Sequence, residues 1–286
     1  MSGPEPAAAR AGLGVELETA LSCAREASTL IADHFAAGTQ EWQKTEDERV
    51  DDPVTRADLD ADAAIRRRLT ATFPRDGIVS EEAADQPETG SGRTWIVDPI
   101  DGTREFVDRV PEFAVSIALV ENGEPIVAVV ANPIAQITVC AARGAGAWRG
   151  REPVSISRCQ DLDQATAIAS RSETKRGDWD AFSSWFGHIR TMGSIAWKLS
   201  AVACAVGDLN ISVRPKHTWD VCAGDLLVRE AGGVYFDREG RSAHYVPERG
   251  LVPGRIAGPR ELVMRFLDRT ADLPDVLRDP HPSQEV

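Results

Sequence analysis

Residues 94 to 106, TWIVDPIDGTREF, join an apolar run to two aspartates three apart, then glycine, threonine and arginine. No other stretch restricts the fold as much. The Trp-Ile-Val run is apolar enough for an interior strand, so Asp98 sits where a strand leaves the sheet, and Pro99 and Gly102 bend the chain beyond it. Asp98 and Asp101 can therefore converge. GTREF can then start a helix, which would turn the amides of Gly102 and Thr103 outward as an anion site. Two carboxylates about 4 Å apart repel by roughly 4 kcal/mol at an effective dielectric near 20, so the convergence is unfavourable unless a cation lies between them. Carboxylate and carbonyl oxygens are hard donors, which points to Mg²⁺ or Mn²⁺ rather than zinc. Further candidate ligands are Glu81 and Glu82 in VSEE, after a short apolar run, and Asp220 in HTWDVCAG, at the start of a helix. Each of these alone also suits an ordinary surface acid or helix cap.

The rest of the chain supplies elements around that point. Apolar residues from Leu13 to Phe35 recur at three- and four-residue intervals and predict an amphipathic helix. A polar loop, GTQEWQKTEDERVDDP, separates it from a second helix, which has Thr55 or Asp58 near its start and stops at Pro74 and Gly77. FAVSIALVENGEPIVAVVANP reads as a hairpin turning at Asn122 and Gly123. After GAGAWRG, strands alternate with helices: ATAIAS, SIAWKLSAVACAVG, LNISV, WDVCAGDLLVREAG, VYF and a last helix from Pro259 to Leu267. An antiparallel-rich first half and an alternating second half predict one layered α/β domain over 13–272, in lobes of about 13–152 and 153–272. Residues 1–12 and 275–286 read as frayed ends.

Composition excludes several classes. A formal net charge of −13 argues against a nucleic-acid polymer as partner. Neither a targeting signal nor a run approaching a membrane span is found, so a cytoplasmic protein is expected. Cys23, Cys140, Cys159, Cys204 and Cys222 are odd in number and widely spaced, as expected of reduced thiols.

The order V-T-R-A-D (54 to 58), S-E-E (80 to 82), D-P-I-D-G-T (98 to 103), W-D-x-x-A-G (219 to 224) and E-A-G-G (230 to 233) resembles the lithium-sensitive, Mg²⁺-dependent phosphatases. These include inositol monophosphatase and the 3'(2'),5'-bisphosphate nucleotidases. The match spans about residues 13 to 270. The resemblance implies an α-β-α-β-α sandwich with metals, two or three per site, at the junction of two lobes. It implies Glu81, Asp98, Asp101, Asp220 and the Ile100 carbonyl as metal ligands, and Asp58 with Thr103 as the pair that activates the attacking water. Glu82 would serve a more weakly held metal or its surroundings. Lithium inhibition and a homodimer are also implied, although no exposed apolar stripe marks an interface.

Details of the sequence favour a nucleotide substrate over an inositol phosphate. DGTREF resembles the D-G-T-[KR]-E-F of the nucleotidases, and ASRSE (169 to 173) resembles their S-R-S stretch, with Glu173 where histidine is usual. Ser170, Arg171 and Ser172 would then hold a second phosphate. Val213, seven residues before Asp220, replaces the glutamate that contacts inositol hydroxyls in the inositol enzymes. Lys198, Arg214 and Lys216 are basic groups able to neutralise a 5'-phosphate. His217 reads as a structural or substrate-edge residue, Trp197 as core or a base-stacking surface, and Trp219 as core. The expected reaction is removal of the 3'-phosphate from 3'-phosphoadenosine 5'-phosphate to give AMP. Inositol-1-phosphate or a related sugar or nucleotide phosphate is the alternative, and a binding protein that has lost the chemistry is the reading from another class.

Overall fold

The computed structural model of the chain describes residues 3–38, 41–43, 53–246, 249–271 and 273. Helices α1 (Pro4–Arg10) and α2 (Gly14–Ala37) lead to a small ribbon of β1 (Glu41–Gln43) against β2 (Pro53–Thr55), and then to α3 (Arg56–Thr72). A seven-stranded sheet follows in spatial order: β3 (Gly77–Ser80), β4 (Arg93–Asp101), β5 (Ala114–Glu121), β6 (Glu124–Asn132), β7 (Ile137–Ala142), β8 (Ala147–Arg149) and β9 (Glu152–Val154). Helix α4 (Thr103–Val107) interrupts it after β4. Only β3 and β4 run parallel; the other neighbours are antiparallel.

The hairpin shows why this sheet must be central. Asn122 and Gly123 both adopt positive φ, 53° and 78°, which suits a tight turn between twisted strands. Along β5 and β6, Ile117, Leu119, Val127 and Val129 enter one core, whereas Ala118, Val120, Ala128 and Val130 enter another. With both faces apolar, the sheet needs cover on each side. Helices α2 and α3 pack on the first face.

The second half contains β10 (Thr166–Ser170), α5 (Arg171–Lys175), β11 (His188–Met192), α6 (Ile195–Ala203), β12 (Leu209–Ser212), β13 (Lys216–His217), α7 (Thr218–Glu230), β14 (Val234–Phe236), β15 (Leu251–Val252), β16 (Arg255–Gly258) and α8 (Arg260–Thr270). A five-stranded sheet is ordered β11-β10-β12-β16-β14, and β13 pairs with β15 separately. Helices α6 and α7 fill the space between the two large sheets, and α8 covers the outer face of the second. The result is the mixed α/β sandwich expected, layered α-β-α-β-α.

Some expectations change. Pro4–Arg10 form a helix, with Ala8 fully buried, where the sequence reads as a frayed end. Proline in its first turn and a run of alanines favour that helix once it has a surface to pack on. Strand β4 continues through Asp101 instead of ending at Asp98, with a register shift between the two aspartates. Most of the polar loop before Pro53, and residues 275–286, lie outside the described residues. The five cysteines are free. No helix among the described residues is long and apolar enough to cross a membrane.

Candidate active site

The register shift at Pro99 and Ile100 is the local cause of the site, because a bulge re-aims side chains that a regular strand would send to opposite faces. Carboxylate oxygens of Asp98, Asp101 and Asp220 all lie within 4.8 Å of one another. Asp98 and Asp101 are buried and Asp220 is partly open. A cleft of about 180 Å³ is walled by these three with Glu81, Ile100, Gly102, Thr103, Arg104, Glu105, His217 and Trp219. Glu81 stands outside the close group, but its charge acts on Asp98 and Asp220.

Each acid is fixed by backbone donors. The Ile100 amide donates to Asp98 Oδ1 at 3.0 Å. The His217 amide donates to Asp220 Oδ2 at 3.0 Å, closing the first turn of α7. Asp101 Oδ2 accepts from Ser194 Oγ at 2.5 Å and from the Ala196 amide at 2.6 Å, so the start of α6 partly neutralises it. Burial nonetheless raises the pKa of Asp101. Asp98 is pushed well above the usual carboxylate range by burial, then by Glu81, Asp101 and Asp220; Asp220 is pushed up by burial, Asp101 and Glu81. The chain brings these acids together without cations enough to balance them. Hard oxygen donors in that condition fit a divalent ion.

Asp58 lies to one side of the cluster. Its Oδ2 accepts from the Thr55 amide at 2.8 Å and Thr55 Oγ1 at 2.5 Å, a capping box at the start of α3. Thr103 Oγ1 is 3.3 Å from Asp58 Oδ1 and 3.0 Å from the Ile100 carbonyl. Burial raises the Asp58 carboxyl to about 6. Gly102, with φ 98°, turns the chain between Asp101 and Thr103, where a Cβ would meet Phe113 and Ser194 at 3.3 Å.

The residues expected to hold a second phosphate are placed differently. None of Ser170, Arg171, Ser172, Lys198, Arg214 and Lys216 lines the 180 Å³ cleft. Arg171 pairs with Glu112 and lies 4.0 Å from Glu105, while Ser170 and Ser172 bond each other at 2.9 Å. Arg214 Nε donates to Asp178 at 2.9 Å, and Lys216 Nζ to Glu173 at 3.1 Å. Glu173 is fully buried and also accepts from Trp179 Nε1, which accounts for an acid in the S-R-S-E stretch. Lys198, 4% exposed, is flanked by acids: the charges of Asp101, Glu173 and Glu105 act on it, while burial lowers its pKa. Val213 is buried in the outer core. Trp197 packs partly buried against the inner core. Trp219 is also core, and His217 stacks on it at 4.5 Å with a 4° angle between the rings.

Sequence reasoning misses Ser194 and Glu105. A glycine-serine pair before an apolar helix is the available signal for Ser194, which caps α6 with φ at 55°. The acid at Glu105 sits within a motif already singled out, so only its direction was hidden.

Two sheets with helices between and outside them, and acids gathered where β4 meets α7, give a mixed α/β sandwich whose cleft suits a divalent metal. The profile of the inositol monophosphatase family matches residues 15–268, and the chain belongs to that family. A histidinol-phosphatase of Chlorobaculum parvum is 34% identical over 255 residues, 87% of this chain and 95% of that protein. The Nus factor SuhB of Escherichia coli strain K12 is 32% identical over 272 residues, 92% of this chain and 98% of that one. Among solved structures, the Thermotoga maritima IMPase superposes with a TM-score of 0.78 at 28% identity, covering 90% of this chain and 97% of that chain.

Proposed function

We propose that the protein hydrolyses the 3'-phosphate of 3'-phosphoadenosine 5'-phosphate to AMP, with Mg²⁺ as its metal. In this reading Glu81, Asp98, Asp101, Asp220 and the Ile100 carbonyl hold the metal, and Mn²⁺ can replace Mg²⁺. Bound divalent ions supply positive charge to the phosphate and to the departing oxygen and acidify water. Asp58 and Thr103 hold a water in line with the ester bond, and Asp58, its far oxygen fixed by Thr55, takes the proton as the new phosphorus–oxygen bond forms. A carboxyl near 6 is ionised at neutral pH and can do so. As the bond from phosphorus to the ribose oxygen breaks, that oxygen leaves as the ribose hydroxyl, taking up a proton that water supplies and that the proton released from Asp58 replaces. The amides of Gly102 and Thr103, at the cleft wall, orient the phosphate.

The choice of a substrate with two phosphates rests on Lys198. Lys198 is buried and burial lowers its pKa, so a second anionic group near the cleft would offset the cost of holding its charge there. Val213 supports the same choice, because a buried valine offers inositol hydroxyls no acceptor. An amine-bearing ester is the second reading: Glu105 lines the cleft and could receive an ammonium, and a relative is named for histidinol phosphate.

Steady-state kinetics on wild type and Lys198→Met tests the proposal. The bisphosphate should have a higher kcat/KM than inositol-1-phosphate or histidinol phosphate. The variant should lose about ten- to a hundredfold in kcat/KM on the bisphosphate and under about threefold on adenosine 3'-phosphate. Preference for either rival ester, or an equal loss on both nucleotides, contradicts it. Inhibition by millimolar-range lithium is a further expectation of the same reading.

A further inference from the structure

We infer that Arg249 is a positioning residue that sets the distance between Glu81 and the helix carrying Asp220, and so tunes divalent-metal affinity. The inference rests on the metal reading of the cleft but not on the substrate.

Arg249 is 42% exposed at its side chain, yet it is heavily engaged. Its Nη2 donates to the carbonyls of Ser80 and Ala83, each at 2.6 Å; Nη1 lies 3.4 Å from the Glu81 carbonyl; Nε donates to Asp85 at 3.1 Å. The guanidinium therefore grips the main chain on both sides of Glu81. Its own segment is tied to the other half of the site. The Thr218 amide donates to the Gly250 carbonyl at 3.0 Å, and β15 pairs with β13 as His217↔Leu251 and Lys216↔Val252. Those contacts lie at and just before the first turn of α7, within four residues of Asp220. The guanidinium carbon also lies 5.3 Å from the centre of the Trp219 ring, whose other partner is His217.

Other supports hold the Glu81 loop to the first sheet and its outer helix. The Glu81 amide donates to the Val97 carbonyl at 3.2 Å, and Ser80 Oγ donates to Asp62 of α3. Arg249 thus joins this loop to the segment paired with α7. A lysine cannot reproduce the grip, because one ammonium cannot span three carbonyls and a carboxylate in a planar fork. Groups that orient metal ligands without touching the metal typically carry about ten- to a hundredfold in affinity.

The test is titration of metal-free, full-length wild type, Arg249→Ala and Arg249→Lys with Mn²⁺ by isothermal calorimetry, with far-UV circular dichroism as a check on folding. Arg249→Ala should bind Mn²⁺ about tenfold more weakly and Arg249→Lys about threefold more weakly. The Mn²⁺ concentration for half-maximal phosphate release should rise in parallel, while kcat at saturating metal stays within about threefold of wild type. Should the alanine variant fail to fold, the lysine variant alone decides. Wild-type Mn²⁺ affinity in whichever variant folds, or a fall confined to kcat, overturns the inference. Absence of Mn²⁺ binding by the wild type would instead overturn the metal reading on which it rests.

Discussion

Two groups of acids, buried or half-buried, are treated in opposite ways. Glu173 is fully buried but meets Lys216 and Trp179, and hydrogen bonds from Arg214 hold Asp178 below the usual carboxylate range. Asp98, Asp101 and Asp220 instead face one another, and burial with mutual repulsion drives Asp98 and Asp220 well above that range. In the first group the chain supplies its own counter-charges, so the acids hold the fold together. In the second, burial and mutual repulsion outweigh the pull of Lys198 and Lys216, and a divalent ion would supply the missing charge. An ordinary stability requirement would not retain such a cluster; a ligand requirement would.

The contrast is broken most directly by neutralising one member of each group. Asp98→Asn should lower kcat/KM for phosphate release by about a thousandfold, several kcal/mol of lost charge stabilisation, while the fold stays intact by circular dichroism. Lys216→Met, which leaves buried Glu173 without its cation, should cost about 3 kcal/mol in urea unfolding. A smaller loss would mean that the network is less dry than its burial indicates.

Asp225 sharpens the comparison as an intermediate case. Tyr245 donates to its Oδ2 at 3.1 Å and Arg229 is 3.7 Å away, but Oδ1 is buried without a partner. Burial raises this carboxyl to about 7. Below about pH 4 it is protonated in both folded and unfolded chains. Between about 4 and 7 the unfolded chain has lost the proton and the folded one keeps it, so stability falls as pH rises, and above 7 the penalty is constant. Wild type should therefore lose about 2 kcal/mol relative to Asp225→Asn between pH 4 and pH 6, measured as paired urea titrations. A pH-independent difference would show that Asp225 ionises freely. The smallest effect is expected at Ser194→Ala, about 1 kcal/mol from losing the α6 cap and one donor to Asp101.

The same contrast explains what could be read in the sequence. The hairpin at Asn122 and Gly123, the strand entering Asp98, and the Thr55 cap with Asp58 depend on neighbours within a few residues, and their patterns are visible. The motif D-P-I-D-G-T shows that Asp98 and Asp101 meet, and family resemblance brings in Asp220. The compensating groups are invisible because they are remote: Ser194 reaches Asp101 across 93 positions, Lys216 reaches Glu173 across 43, and Arg249 reaches Ser80 across 169. Arg171, Arg214 and Lys216 read as substrate cations for that reason, and their acidic partners emerge only in the fold. The exposed edge strand β11 was likewise hidden, since HIRTM carries neither an apolar run nor alternation.

Thermal unfolding of wild type and Asp98→Asn, each with and without Mg²⁺, tests the central claim that the cleft acids are balanced by an ion from solution. Removing one buried charge should raise the midpoint of the metal-free variant above that of metal-free wild type, and Mg²⁺ should raise only the wild type. A variant that melts lower without metal, or a wild type indifferent to Mg²⁺, would contradict it.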